Sequence, residues 1–505
     1  MLEKYYEEIR QNINVRENLS LLRGQIKEKE ARTRLLNLVG DGSFLLALLS
    51  HEEPKVRKNA ALLIGDLGLQ EAVGSLFCAY KRETTLFVRS SYLNALGRLD
   101  ASEYLEELKG ARDALVAEEV PENERKHRAE ELRELEKIIT GIEGIRRHTF
   151  TGFEKAQDIL LATNKEQRGV TMAEAAELSA EIQRSTALHP LGVLVHTKWV
   201  KPFTRLRTYR ELLFPLKGRF PADPGQAASA VCALGLADLL AGCHKEDAPF
   251  YFRVELKSRM PLDAKSVYAK RFAAEVERLS GRRLVNSTQH YEVELRLVET
   301  RDGGFVGFYK LFTIPARRFS YRKNAIATSI HPATAAMLVR LAKPYLKEDA
   351  QILDPFCGVG TMLIERDICV PAREKYGIDI FGDAIRMARE NTAAAGENIN
   401  YINRDYFDFK HKYLFDEIIT NMPVRSAAKS REEMDVFYGR FFEKSAELLQ
   451  RGGIIVMYAN EEGFIKKQLR LREDYRLIQE YCIREKDRFY LYIIQYDHKG
   501  ERTPV

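Results

Sequence analysis

The sequence predicts a multidomain chain in three parts: an α-helical repeat array over residues 1–145, a small α+β unit over 146–325, and a doubly wound α/β domain over 326–505. Three observations carry that reading. The first part holds a 32-residue internal repeat. The second mixes strand-like and helix-like segments, and from about Ala350 apolar strands alternate with helices around glycine-containing turns. A length of 505 residues with 45% hydrophobic content suits several cores rather than one.

Pro54–Leu67 aligns with Leu86–Leu99, and the offset persists at Glu71 and Glu103, Leu76 and Leu108, and Ala79 and Ala111. Each copy has apolar residues at helical spacing, a glycine break and a second amphipathic stretch. A helix pair cannot bury its apolar face alone, so stacked copies share a core. An imperfect copy is expected around Ala31–Leu49, and residues 114–140 read as a charged capping helix. The pattern resembles HEAT repeats, which implies a scaffold or contact surface without chemistry of its own.

In the second part, Phe252–Leu256 and Tyr291–Leu297 read as strands. Asp302-Gly303-Gly304 is a turn, Phe305–Phe312 its returning partner, and Ala264–Leu279 a helix. Lys198, Lys201, Arg205, Arg207, Arg210, Lys217 and Arg219 face the single acid Glu211, with Trp199, Phe203, Tyr209 and Phe214 interleaved. A second cluster is Arg317, Arg318, Arg322 and Lys323. Cations neutralise phosphates and aromatics stack on unpaired bases, which points to RNA. The other reading is a solvated face whose aromatics pack inward.

In the third part, the strand Gln351–Leu353 runs into Asp354-Pro355-Phe356-Cys357-Gly358-Val359-Gly360-Thr361, and a helix begins at Met362. Glycines there let the backbone approach a ligand, and a helix N-terminus offers amide donors. The next strand, Glu374–Asp379, ends in an acid followed by Ile380, and a third unit runs through Asp405 and Tyr406. Phe415–Thr420 is an apolar strand that enters Asn421-Met422-Pro423-Val424-Arg425. Arg451-Gly452-Gly453 turns into the strand Ile454–Tyr458, and Tyr475–Cys482 with Phe489–Tyr496 form an antiparallel pair.

Together these strings resemble Rossmann-like methyltransferases acting on exocyclic amines, particularly the RNA guanosine-N2 methyltransferases linked to a THUMP domain. The resemblance is strong over 326–505. Over 146–325 it rests on Thr149-Phe150-Thr151-Gly152-Phe153-Glu154, on element order and on charge. It implies a seven-stranded sheet with a reversed edge and a THUMP-like, ferredoxin-like α+β region that grips tRNA or rRNA. It also implies S-adenosyl-L-methionine as cofactor. Its amino acid end would lie at Asp354, Pro355, Phe356, Cys357, Gly358, Gly360 and Thr361, its ribose at Asp379 beside Ile380, its adenine at Asp405 and Tyr406, and its sulfonium beside Asn421.

Asn421, Met422 and Pro423 would be the catalytic motif. An aromatic exocyclic amine is a poor nucleophile because its lone pair enters the ring. The Asn421 side-chain oxygen and the Met422 carbonyl can accept its hydrogens and localise that pair. Val424 departs from the pattern, which carries a base-stacking aromatic there; Arg425, Phe437 or Tyr438 are candidates to replace it. Arg205, Arg207, Arg317, Arg318, Arg322, Lys323 and Arg425 would contact RNA. His331, ahead of an apolar helix at Pro332, reads as a cap rather than a general base.

The leading reading is therefore an RNA methyltransferase whose repeats extend the RNA surface or bind a protein partner. A non-catalytic RNA-binding or assembly factor, and an enzyme acting on DNA adenine or protein glutamine, are the alternatives. The net charge of +6 alone does not argue for nucleic acid. Six scattered cysteines without a C-x-x-C pair suit a reduced compartment, and Cys243-His244 has no matching pair, so no metal is expected. A charged N-terminus and no uncharged run near the roughly 20 residues of a membrane span place the chain in the cytoplasm, away from membranes.

Overall fold

Why the 32-residue offset builds a stack is visible in its glycines and arginines. In the computed structural model, which describes residues 2–40, 42–118, 121–144, 147–178, 182, 184–424 and 430–497, the chain divides into two units, 1–146 and 147–505. The first comprises α1 (Leu2–Arg10), α2 (Val15–Gln25), α3 (Lys29–Val39), α4 (Ser43–Ala47), α5 (Pro54–Leu67), α6 (Val73–Arg82), α7 (Leu86–Leu96), α8 (Leu105–Ala117) and α9 (Arg125–Glu143). A Cβ on Gly65 would lie 2.7 Å from Ala95 Cα, and one on its repeat equivalent Gly97 would lie 3.3 Å from Ile138. Each glycine thus admits the next helix. Arg57 Nε binds Glu83 at 2.8 Å, and its equivalent Arg89 binds the fully buried Glu131 at 2.7 Å. The helix expected at 114–140 is instead broken between α8 and α9. Pro121 lies in the break, where its ring and missing N–H bar a continuous helix.

The second unit opens with β1 (Gln157–Ala162), α10 (Arg168–Ala176), β2 (Arg184–His189), β3 (Gly192–Thr197), β4 (Glu211–Phe220), α11 (Pro224–Ala233), α12 (Leu236–Ala241), β5 (Phe250–Lys257), α13 (Leu262–Leu279), β6 (Leu284–Asn286), β7 (Val293–Glu299) and β8 (Phe305–Leu311). Among the described residues these strands form a mixed sheet, β2-β3-β1-β4-β8-β7-β5-β6. β7 and β8 are the antiparallel pair expected around the Gly303 turn. Phe203, Tyr209 and Phe214 are buried in the core of this sheet, so of the four interleaved aromatics only Trp199 reaches the surface. Their large apolar rings gain more from the core than from a solvated face.

The remainder holds α14 (Pro332–Ala342), β9 (Gln351–Asp354), α15 (Thr361–Cys369), β10 (Glu374–Asp379), α16 (Gly382–Ala395), β11 (Asn400–Asn403), β12 (Phe415–Asn421), α17 (Arg431–Leu448), β13 (Leu449–Ala459), α18 (Glu462–Leu471), β14 (Tyr475–Arg484) and β15 (Phe489–Tyr496). The sheet order is β11-β10-β9-β12-β13-β15-β14, with β15 antiparallel to both neighbours. The turn expected at Arg451–Gly453 is a kink inside β13. Gly452 takes φ 77° there, and the register with β12 shifts between Phe415 and Glu417. No helix among the described residues is long and apolar enough to cross a membrane.

The two sheets are joined through α15. Glu365, buried on that helix, accepts Arg207 Nε and Nη2 at 2.9 and 2.8 Å and the Tyr321 hydroxyl at 2.6 Å. Next to it, the fully buried Arg366 donates to Glu417 of β12 at 2.8 and 2.9 Å. The edge strand β14 also docks on the loop before α10: Asn164 and Gln167 amides donate to the Ile483 and Cys482 carbonyls at 2.7 and 2.8 Å. Replacing Glu365 by Ala strands Arg207 without its counter-charge. Urea unfolding is expected to show a loss of roughly 3–5 kcal/mol, the cost of breaking a buried pair; an unchanged midpoint would refute the clamp.

Candidate active site

The parallel strands leave β9 in two directions, toward β10 and β11 on one side and toward β12 and β13 on the other. Between β9 and β12 their carboxyl ends therefore part into a crevice, where doubly wound sheets bind ligands. Asp354 closes β9 and Asn421 closes the adjacent β12.

The turn after β9 is held from beneath. Gly360 has φ 83°, and a Cβ there would lie 2.1 Å from the Tyr401 hydroxyl, so only glycine fits. Gly358 has φ 51° with open space in front of it. Its amide donates to Asp379 Oδ2 at 2.9 Å, while Oδ1 accepts the Phe381 amide at 2.9 Å. Both carboxylate oxygens are thereby oriented and each keeps a lone pair free. Asp354 is fully buried, and loss of solvation pushes its pKa up to about 7. The Thr361 hydroxyl, at the first turn of α15, is buried with no partner among the described residues. Cys357 is buried, its thiol pKa raised by burial, and its amide closes the turn onto the Ile378 carbonyl at 2.9 Å.

Ile380 and Phe381 are 59% and 65% exposed directly after Asp379. Apolar surface of that size beside an oriented carboxylate suits a nucleoside: hydroxyls for the acid, a ring face for the side chains. Asp405 is exposed and caps the following turn through the Phe407 amide at 2.9 Å. Tyr406 is not beside it. Its ring turns into the core, with its hydroxyl 3.0 Å from Ser445, because a bulky phenol gains burial and a partner there. Pro355 is buried, and Phe356 is half-buried against Phe437 at 5.5 Å.

The Asn421 amide has no partner among the described residues and is half-exposed. The Met422 amide donates to the Tyr458 carbonyl at 2.9 Å, which pins the strand end; Pro423 is half-buried and Val424 is 55% exposed. Tyr438 is fully buried, so of the described aromatics suggested in place of the missing one, only Phe437 stands near the surface. Arg425 lies outside the described residues. His331 caps α14, its Nδ1 accepting the Ala333 amide at 3.2 Å. Burial, with Arg210, Arg322 and Arg318 nearby, lowers its pKa to about 4, so it is neutral at physiological pH.

The basic residues separate into two groups. Arg207 is engaged by Glu365, and Arg318 stacks on Tyr209 at 3.7 Å while donating to the Leu206, Tyr209 and Arg210 carbonyls. Arg205, Arg317 and Lys323 are exposed, and Arg322 is half-buried with its Nε unpartnered among the described residues. Sequence reasoning missed Glu365 and Phe381. A carboxylate directly after the apolar run Met362–Ile364, and two adjacent apolar residues after a strand-ending acid, were the available signals.

Residues 320–486 match the RMKL-like methyltransferase domain family. A tRNA (guanine(10)-N2)-dimethyltransferase of Methanothermobacter thermautotrophicus is 30% identical over 155 residues, covering 30% of this chain and 45% of that protein. An uncharacterised protein of Mycoplasma genitalium is 31% identical over 117 residues, 23% of this chain and 25% of that one. The chain thus spans less than half the length of these curated relatives. Among solved structures, TrmN from Thermus thermophilus has a TM-score of 0.51 at 19% identity, covering 68% of this chain and 99% of that chain. SMU.472, complexed with SAH, has a TM-score of 0.50 at 15% identity, covering 69% and 100%. At these identities the likeness shows the fold.

Gly360→Ala should lower stability by about 1–3 kcal/mol, since the methyl meets Tyr401 in a backbone region that alanine disfavours. Thermal unfolding checks this, and an unaltered Tm would contradict the steric account of the turn.

Proposed function

We propose that the chain is an S-adenosyl-L-methionine-dependent RNA methyltransferase acting on an exocyclic amine, guanosine N2 in tRNA or rRNA. The observation that carries this reading is the placement of Asn421-Met422-Pro423 across the β9/β12 switch point from the Asp354–Gly360 turn. Similarity to a tRNA guanine-N2 enzyme supports the choice of substrate. In this reading 146–325 is a THUMP-like RNA-binding region, 326–505 the catalytic domain and 1–145 a HEAT-like array.

The residues fit the cofactor. Asp354 would take its ammonium group and Thr361 its carboxylate, with the open space at Gly358 admitting that end of the cofactor; Asp379 would take its ribose, and Ile380, Phe381 and Asp405 its adenine. When bound, S-adenosyl-L-methionine supplies an electrophilic methyl group. The Asn421 side-chain oxygen accepts one hydrogen of the target amine and the Met422 carbonyl the other, which localises the lone pair and orients it. The neutral His331 caps its helix and takes no part. Arg205, Arg317, Arg322 and Lys323 would hold RNA phosphates, whereas Arg207 and Arg318 are engaged within the protein.

Because Asp354 is neutral below about pH 7 and anionic above it, affinity for the cationic cofactor should rise with pH, by about tenfold per unit below that point, then level off. Calorimetry between pH 5.5 and 8.5 tests this, with Asp354→Asn expected to flatten the profile; a pH-independent wild type would remove Asp354 from the site. Asn421→Ala should lower methyl transfer to bulk RNA by about 10²–10³-fold while cofactor affinity stays within about twofold. Tritiated-methyl assays on RNA, DNA and protein fractions, followed by nucleoside mass spectrometry, test the reading as a whole. Transfer to DNA or protein alone would overturn the RNA assignment. The exposed aliphatic Val424 favours a second reading, a cofactor-binding RNA factor without turnover, which tight binding with no transfer to any fraction would support.

A further inference from the structure

A cavity of about 530 Å³ opens between α2, α5 and α7 in residues 1–146. Arg16 comes from α2, Lys55 and Lys58 from α5, and none of the three forms an ion pair among the described residues. That sets them apart from neighbours such as Arg23, Arg57, Arg89 and Arg98, each tied to an acid. Residues 1–146 carry 23 Lys and Arg against 26 Asp and Glu, so the cavity is a local positive feature on a unit that is not basic.

The internal repeat separates structure from function here. Arg57 and Arg89 occupy equivalent positions and do the same job, bridging to a buried glutamate. Lys55 and Lys58 are replaced in the next copy by Phe87 and Ser90, so stacking does not require them. The three helices also start near the cavity. Asn14, Glu53 and Thr85 precede them, and none makes a side-chain capping hydrogen bond. The positive ends of three helix dipoles therefore reinforce the three cations.

The rest of the lining indicates which anion fits. Ser20 and Asn59 offer a hydroxyl and an amide, Phe87 a half-buried ring, and Glu17 is the one acid on the wall. Phosphates bind cations and small polar donors, and an unpaired base stacks on an aromatic face. An acidic peptide would use the cations and leave the ring idle. We propose that this cavity is a single-stranded RNA site, in which Arg16, Lys55 and Lys58 grip the sugar-phosphate backbone and Phe87 stacks a base. The proposal rests on the RNA reading above and gives the helical unit a direct part in substrate capture.

The test uses the full chain. Lys55→Glu/Lys58→Glu is compared with wild type by fluorescence anisotropy, using labelled single-stranded RNA and bulk tRNA between 50 and 200 mM salt. Affinity is expected to fall on the order of tenfold, and the salt slope to become shallower by about 1.4, at about 0.7 per single-strand phosphate contact. Cofactor affinity and circular dichroism should stay as in wild type. Unchanged affinity and slope would overturn the proposal. Acetylation footprinting of the wild type needs no variant: RNA should shield Lys55 and Lys58, whereas shielding by polyglutamate but not RNA would overturn it in favour of an acidic protein. If wild type methylates RNA and the variant binds RNA normally, only the cavity assignment fails. If RNA binding depends on the cavity but no RNA is ever methylated, only the catalytic reading fails.

Discussion

Glu365 is a carboxylate with almost no solvent, held by a guanidinium from the first sheet's region and a phenol from the segment entering α14. A charge in that position is costly unless both its oxygens are satisfied. The same helix, α15, begins at the Gly358–Gly360 turn and carries Arg366, whose buried pair with Glu417 reaches the strand that ends in Asn421. Two opposite charges at adjacent positions of one helix therefore fix the glycine turn, the Asn421 strand and the arginine-bearing region against one another. A site that works by positioning needs that kind of rigid support.

The crevice gains its chemistry from what each strand does on leaving the sheet. β9 buries its terminal aspartate, and burial raises its pKa to about 7. β10 presents its aspartate to two backbone amides and then exposes two apolar residues. β12 ends in an amide with no partner among the described residues. The two aspartates share a residue type and differ in setting, one by burial and the other by two backbone amides, while Asn421 adds a neutral amide to the same edge.

The helical unit shows the same separation of roles. Repeated positions, Gly65 with Gly97 and Arg57 with Arg89, serve stacking. Positions that break the repeat, Lys55 and Lys58, face the cavity. A side chain freed from structural duty in one copy is available for another.

Much was legible from the sequence because it is local. Strand length, the glycine turn, the acid that ends β10 and the Asn421-Met422-Pro423 strand end all follow from short-range pattern, since alternation and turn chemistry act over a few residues. Long-range commitments were not legible. Nothing in the residue type of Arg207 or Arg318 distinguishes a phosphate contact from a clamp on a buried glutamate or a set of carbonyls, and nothing in Tyr406 says that its ring turns inward. Likewise Phe203, Tyr209 and Phe214 read equally as stacking surface or core. Partners distant in the sequence decided these cases, 39 residues away for Tyr406 and more than 100 for Arg207 and Arg318, because the energy of a charge or an aromatic ring depends on what surrounds it. The sequence alone determined the order of elements and the chemistry available at each strand end; tertiary structure decided which of those groups remain open to a ligand.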